Sequence, residues 1–461
     1  MGYGEHIPAL PLPPQSQGDP LKSNLIKRGF LSLLAAQFLG AMNDNVLKML
    51  LTFMVIDGAW AGMLGDGGQG IVGICFTIPF ILLSGYGGQI ADRYSKREVT
   101  LWVKIAEVPI ALIAMVGFYL GNLWITLLAL VALTCQSSFF GPAKYGMIPE
   151  LVDDTDLSRA NGTINMMTNV AVIVGTLLGG VVADRYSPQD ASLTPIQWLP
   201  GAALLVIAIL GLISAVFMPR LEPGDRSMKF DWNPFATYLG SIQEMAQSRF
   251  LMVMMAWGYF YLLAGLALLI LPEYTVVLGI DRTEASVLLG VMGVAIGVGC
   301  AVAGLISGHQ INPKLVPIGA AGLVFFFLLL AFVPPTLPDQ GPMVRVALSN
   351  TAGFVFGAGF FAGFYIIPLQ SLLQKLSPDN ERGRFLGTAN ALSFTFLTIA
   401  SLMYWAIRPM FDDQPQRIFA LCAAMMAAGA GFFLWRLRGT GILIGNRPTT
   451  AESPTAAEAA E

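Results

Sequence analysis

Ionisable residues inside long apolar runs are where this sequence first offers chemistry. The run that begins near residue 30 carries Asn43-Asp44-Asn45 and then Lys48, one helical turn on and on the same face. At 1.5 Å per residue, Asp44 falls about 20 Å along that helix, near mid-membrane. A third run carries Lys104 and Glu107 at i,i+3, and a fourth ends in Phe139-Phe140-Gly141-Pro142-Ala143 followed by Lys144. A charge at the bilayer centre costs roughly 2.5–3.5 kcal/mol or more, so such residues face a cavity, a partner or the surface. The chemistry they suggest is recognition of a ligand bearing both signs of charge. The plainer readings are that Asp44–Lys48 and Lys104–Glu107 neutralise themselves, and that Lys104 and Lys144 snorkel to the surface. Asn165 and Asn169 share a helix face at i,i+4 and would line the same cavity or bond across helices.

The elements that must position these residues are membrane helices. Of 461 residues, 55% are hydrophobic and 12% charged, against roughly 25% charged in a soluble domain. About 20 apolar residues span a bilayer, and the runs predict twelve spans: 30–56, 70–91, 99–119, 123–141, 161–183, 196–218, 250–278, 286–308, 314–333, 345–375, 384–409 and 416–436. The polar stretch 219–249 divides them six and six. The expected organisation is an N-terminal tail 1–29, a six-helix bundle 30–218, a linker 219–249, a second bundle 250–436 and a disordered tail 437–461. No cleavable signal is expected, because the first run is too long for one. Twenty of the 26 basic residues fall on one side of this arrangement. By the positive-inside rule both termini, the tails and the linker are then cytoplasmic. Arg185, Arg282, Arg345, Arg408 and Arg417 fall at outer ends, and Lys48 lies within the membrane.

Several function classes drop out. There is no phosphate-binding G-x-x-x-x-G-K-[ST] loop. His6 and His309 are too far apart for a zinc pair, and neither starts a His/Asp acyltransferase dyad. Cys75, Cys135, Cys300 and Cys422 sit in apolar runs as small packing residues. No convergent nucleophile or acid/base set is visible, so no enzyme, cofactor, metal or nucleic-acid partner is expected.

An internal echo is present. Gly-Gly-Gln-Ile-Ala-Asp-Arg-Tyr at 87–94 closes span 2 and Gly-Gly-Val-Val-Ala-Asp-Arg-Tyr at 179–186 closes span 5 on the other face. Equivalence of spans 2 and 5 is what inverted three-helix repeats produce. The first copy, with Gly88, Asp92, Arg93, Lys96 and Arg97, resembles the major facilitator signature G-x-x-x-D-R-x-x-R-R. Its Asp would pair with basic residues or a helix N-terminus across the seam and latch the outward-open state. The matching C-half loop (Gly304, Gly308, His309, Lys314) is degenerate.

The C-half offers Glu273 as its only acid within a span, many aromatics (Trp257, Tyr261, Phe360 and Tyr365 among them), and G-x-x-x-G pairs at 293/297, 304/308, 353/357 and 359/363. The pairs read as packing sites. A charged half facing an apolar half suits a zwitterionic amphiphile.

Several stretches together resemble the lysophospholipid transporters of the major facilitator superfamily, most of all the module fused in some bacteria to an acyltransferase and an acyl-ligase. They are Gln37 to Asn45 with Lys48, Lys104-Ile-Ala-Glu107, Gln136 to Tyr145, Arg159-Ala-Asn-Gly162 and Gly363 to Pro368, spread over about 30–435. The resemblance implies an all-α fold of two pseudo-symmetric six-helix bundles. It implies movement of lysophospholipids, chiefly lysophosphatidylethanolamine, from the outer to the inner leaflet of the bacterial inner membrane, with any acylation partner a separate protein. It makes Asp44, Asn45, Lys104, Glu107 and Lys144 headgroup or gating residues. One departure stands out: stand-alone members carry an Arg in span 7, and Trp257 to Leu271 contains no basic residue. The competing expectation is a proton-coupled exporter of amphiphilic drugs with Asp44 as proton carrier. Against it, Gly175-Thr-Leu-Leu-Gly179-Gly180 lacks the proline of the drug-antiporter motif.

Overall fold

The computed structural model describes residues 27–152, 157–190, 192–222, 230, 232–233, 236–246, 250–307, 312–376 and 382–438. The expected disordered tail after residue 438 lies outside them, as do Gly308 and His309. Among the described residues the secondary structure is helical, with no strand. A chain this apolar must satisfy its backbone hydrogen bonds within each segment once in lipid, and a helix does so.

Among the described residues, twelve helices are long and apolar enough to cross a membrane: spans 1 (Arg28–Ile56), 2 (Gly68–Arg93), 3 (Lys96–Tyr119), 4 (Leu123–Leu151), 5 (Ala160–Tyr186), 6 (Leu199–Val216), 7 (Phe250–Leu278), 8 (Arg282–Ser307), 9 (Leu315–Phe332), 10 (Asn350–Leu373), 11 (Thr388–Phe411) and 12 (Pro415–Arg436). Span 1 packs on spans 5 and 6, and span 4 on spans 2 and 3. Span 10 packs on spans 8 and 9, and span 11 on span 7. The two halves meet where span 2 lies on span 11 and span 5 on span 8. One face of the molecule, called here the terminal face, holds the start of span 1 and the end of span 12; the other is the opposite face.

Three boundaries differ from expectation. Span 4 does not stop at Gly141 but runs through Pro142 and Pro149 to Leu151. Pro142 has no N–H for the Ser138 carbonyl, and Gly87 of span 2 packs there; a Cβ on Gly87 would stand 2.8 Å from that oxygen. The run 345–375 is two helices, Pro342–Ala347 and the one containing span 10. Ser349 separates them: its Oγ accepts from the Ala352 N–H at 3.0 Å, an N-cap that starts the second helix. The linker is more than a polar stretch, since Ala236–Ala246 forms a helix that packs on spans 7 and 11.

Candidate functional site

The N-half charges resolve into two groups with different surroundings. Lys104 Nζ donates to Glu107 Oε2 at 2.6 Å, and Asn43 Nδ2 donates to Glu107 Oε1 at 2.7 Å. Lys104 is 1% exposed and Glu107 0%, so Lys104 does not snorkel. It fits because span 1 has Gly40 and span 6 has Gly211 beside it; a Cβ on Gly40 would fall 2.5 Å from Lys104 Nζ. The Phe140 ring lies 5.4 Å from the ammonium. This pair ties spans 1, 3 and 6 together inside the bundle.

Asp44 and Lys48 are half-buried and do not close on each other. Both Asp44 oxygens accept from Ser137 Oγ of span 4, at 3.0 and 2.9 Å. Lys48 Nζ donates to Asn45 Oδ1 at 2.9 Å and stands 5.0 Å from the Phe76 ring of span 2. Asn45 Nδ2 in turn donates to the Ala41 carbonyl at 2.8 Å. The i,i+4 spacing permitted a self-neutralised pair, but nearer polar partners took each member. Gln136 Nε2 donates to Ser137 Oγ at 3.1 Å, extending the chain to a buried amide whose Oε1 has no partner among the described residues.

Toward the terminal face, Lys144 is 8% exposed, and its ammonium makes no hydrogen bond or ion pair among the described residues. Its neighbour is the Tyr145 ring, 4.4 Å away. Tyr145 is half exposed and donates to Asn165 Oδ1 of span 5 at 3.3 Å. Asn165 and Asn169 are both exposed, and Asn165 makes its bond to span 4 at that open surface. From the C-half, Tyr261 is within electrostatic reach of Tyr145 and packs edge-on against Trp257 at 4.8 Å. Trp257 is 8% exposed, and its Nε1–H has no partner among the described residues. An N–H donor and ring faces thus stand in the span that lacks the arginine.

Of the signature residues, Asp92 is exposed, and Arg93 lies 5.8 Å from the Tyr94 ring. Arg97 donates from Nε to the Met218 carbonyl at 2.9 Å. A Cβ on Gly88 would meet nothing within 4 Å.

What sequence reasoning missed is a seal on the opposite face. Arg282, 1% exposed, opens span 8 and donates to Asp57 Oδ1 at 2.9 Å, the Asp57 carbonyl at 3.0 Å and the Ala183 carbonyl at 3.3 Å. Asp184, from the second copy of the echo, accepts from the backbone N–H of Arg282 at 3.1 Å and of Thr283 at 2.9 Å. An acid capping a helix N-terminus across the seam was expected of Asp92; here the echo does it at Asp184. On the other seam, Glu273 accepts from Arg408 Nε at 2.8 Å and also from Tyr404 and Gln69. The signal was present: Arg282 and Arg408 are two of the five basic residues expected at outer ends, and Glu273 is the only acid within the C-half spans as the sequence predicts them.

Twelve spans in two bundles, sealed across one face, with unpaired polar groups between the halves, define a secondary membrane transporter. The Major Facilitator Superfamily profile matches residues 33–402. The lysophospholipid transporter LplT of Photorhabdus laumondii is 30% identical over 369 residues, covering 76% of this chain and 81% of that protein. Among solved structures, a bacterial homologue of the human lysosomal transporter Spinster, inward-facing and unoccupied, superposes with TM-score 0.63 at 13% identity, covering 92% of this chain and 98% of that one. A POT family transporter with a conjugated peptide gives 0.66 at 13%, covering 89% and 96%. The chain belongs to the major facilitator superfamily and, within it, to the lysophospholipid transporter family.

Proposed function

We propose that this protein flips lysophospholipids, such as lysophosphatidylethanolamine, from the outer to the inner leaflet of the bacterial inner membrane by alternating access. Basic residues at the terminal face support a cytoplasmic location for that face and for both termini. The structure would then stand inward-facing, its outer side closed across the seams by Arg282 with Asp57 and by Gln69 with Glu273 and Tyr404. The observation that carries the reading is Lys144: the side chain is 8% exposed, and its ammonium keeps open surface and has no hydrogen-bonding partner among the described residues. A largely desolvated ammonium with one open face and no anion beside it suits a phosphate as its charge-assisted partner. Asp44, Asn45 and Lys48 would meet the amine end of the headgroup, with Asn165 and Asn169 along its path. Lys104 and Glu107 act by holding span 1 in register. Gly88, Asp92, Arg93 and Arg97 would latch the terminal face in the alternate state. A separate acyltransferase would consume the delivered lipid.

The test is uptake of labelled lysophosphatidylethanolamine by cells lacking their own transporter. Uptake by the wild-type chain, lost in Lys144→Gln and Asp44→Asn proteins that insert normally, supports the proposal. No uptake by the inserted wild-type chain refutes it. A proton-coupled exporter is the second reading, resting on Asp44 accepting from the Ser137 hydroxyl and making no ion pair among the described residues. Collapse of transport when the proton gradient is dissipated would favour it.

A further inference from the structure

Both seams close from mid-span to the opposite face. Between spans 2 and 11 the contacts run from the Phe80 and Phe394 rings, stacked at 4.4 Å, to Gly70, which lies against Ser401 and Trp405. Between spans 5 and 8 they run from Ile173, whose Cδ1 would lie 2.9 Å from a Cβ on Gly293, to Gly180, where a Cβ would lie 2.8 Å from the Arg282 carbonyl. The second seam thus ends at the first turn of span 8, and that turn is also held from outside the seam.

Glu284 reaches back to the start of that turn, where its Oε2 accepts from the Asp281 N–H at 3.0 Å, the acid half of a capping box. Asp184 takes the next two backbone N–H groups, of Arg282 and Thr283. Glu284 is 1% exposed, and both its oxygens also accept from Arg345, Nε to Oε1 and Nη2 to Oε2, each at 2.7 Å. A bidentate pair of this kind fixes direction as well as distance. Arg345 belongs to the short helix Pro342–Ala347, which packs on span 8 and buries Val346. The rest of the helix faces away: Met343, Val344 and the following Leu348 are each at least half exposed. Across 341–349 Arg345 is the one charged residue, and it turns inward to Glu284. Asn350, the first residue of span 10, bonds the Pro334 carbonyl and the Thr336 N–H at 2.9 Å each. The connection therefore leaves span 9 and enters span 10 at one level, the level of the bilayer surface. A helix there with an uncharged apolar face lies in the headgroup layer, that face toward the acyl chains.

We propose that the helix Pro342–Ala347, with Leu348, is an anchor in the headgroup layer of the opposite-face leaflet, and that it steadies the seal by holding the first turn of span 8 through Arg345 and Glu284. Its partner is the lipid surface. Bilayer contact on one side of the helix and the Glu284 pair on the other form a single tether, so the seal depends on the helix staying seated. This holds whatever cargo the protein carries.

Two measurements on the full-length chain, its native cysteines replaced, test this. Bimane attached to Met343→Cys in phosphatidylethanolamine/phosphatidylglycerol vesicles should be quenched by spin-labelled lipid and shielded from aqueous iodide. Ser401→Cys in span 11, a position 4% exposed, reports on the seal through its reaction with a membrane-impermeant maleimide added at the opposite face. Combining Met343→Ser, Val344→Ser and Leu348→Ser should raise that rate about fivefold, the upper end for an ion pair with one partner at the surface. Arg345→Gln should give the same rise, and adding it to the three serines should give no more, because both break one tether. Bimane quenched by iodide at least as strongly as by lipid overturns the anchor. Quenching by neither also overturns it, since a protein would then cover the helix. Unchanged labelling in the serine variant, or rises that multiply with Arg345→Gln, overturn the tether.

Discussion

Substituting Arg282 by Gln should open the opposite face. The guanidinium is wholly buried and bridges span 8 to the end of span 1 and to span 5 through Asp57, Ala183 and Ser187. Breaking a buried ion pair costs about 3–5 kcal/mol. Asp57 and Asp184 keep 15% and 22% of their side-chain surface. They rehydrate when the arginine leaves, so about 2–3 kcal/mol is the fair figure. At 1.36 kcal/mol per decade, the closed-to-open ratio falls about 30- to 150-fold. Ser401 reports on it: this residue of span 11 is 4% exposed and lies against Gly70 and Gly73 on the other seam. With the native cysteines replaced, Ser401→Cys is alkylated from outside by a membrane-impermeant maleimide. Its rate should rise by that factor in the Arg282→Gln background. An unchanged rate, in protein that elutes and melts like its parent, would refute the claim that the Arg282 cluster holds the whole face shut.

Other outcomes follow from the same geometry. Lys104→Met should lower thermal stability by about 3–5 kcal/mol because it strands Glu107; adding Glu107→Gln should recover much of it, as read by detergent-solubilised melting. Ser137→Ala removes the hydroxyl that Asp44 accepts from, a loss of about 1.5–3 kcal/mol for a bond to a charged group, and should weaken lysolipid uptake while leaving folding intact. Asp281 lies in the turn between spans 7 and 8, its carboxyl pushed above the ordinary range by burial and then by Asp184 and Glu284. A raised acid binds its proton more readily in the sealed state, so sealing strengthens as pH falls through the carboxylate range and weakens as pH rises. Asp281→Asn should therefore slow Ser401→Cys labelling at neutral pH and flatten its pH dependence.

The number and order of spans were legible because each needs only a long apolar run, and every run is local in sequence. The Lys104–Glu107 pair was legible from i,i+3 spacing. That it is sealed rather than surface-seeking depends on Gly40 and Gly211, which lie on two other spans. Asp44 and Lys48 had the spacing of a pair, but Ser137 and Asn45 sat closer, and a single helix cannot show what its neighbours offer. The seal was illegible as pairing, since Arg282 and Asp57 are 225 residues apart. The glycine pairs were half read. Gly359 packs with a notional Cβ 2.8 Å from Ala295 Cβ, whereas Gly297 and Gly304 stand at empty space.

The depth of the two closures makes the molecule a lever with nearly equal arms. Phe80 stands twelve residues from Gly68 and thirteen from Arg93, and Ile173 thirteen from either end of span 5. With spans 1, 3 and 6 clamped through Lys104, alternating access would turn the N-half as one stiff beam about that line. A gap lost at one surface would then reappear at about the same width on the other, with no mechanical gain toward either. On the flippase reading, net direction would come from outside the beam, from the chemistry that drains its cargo on the receiving side.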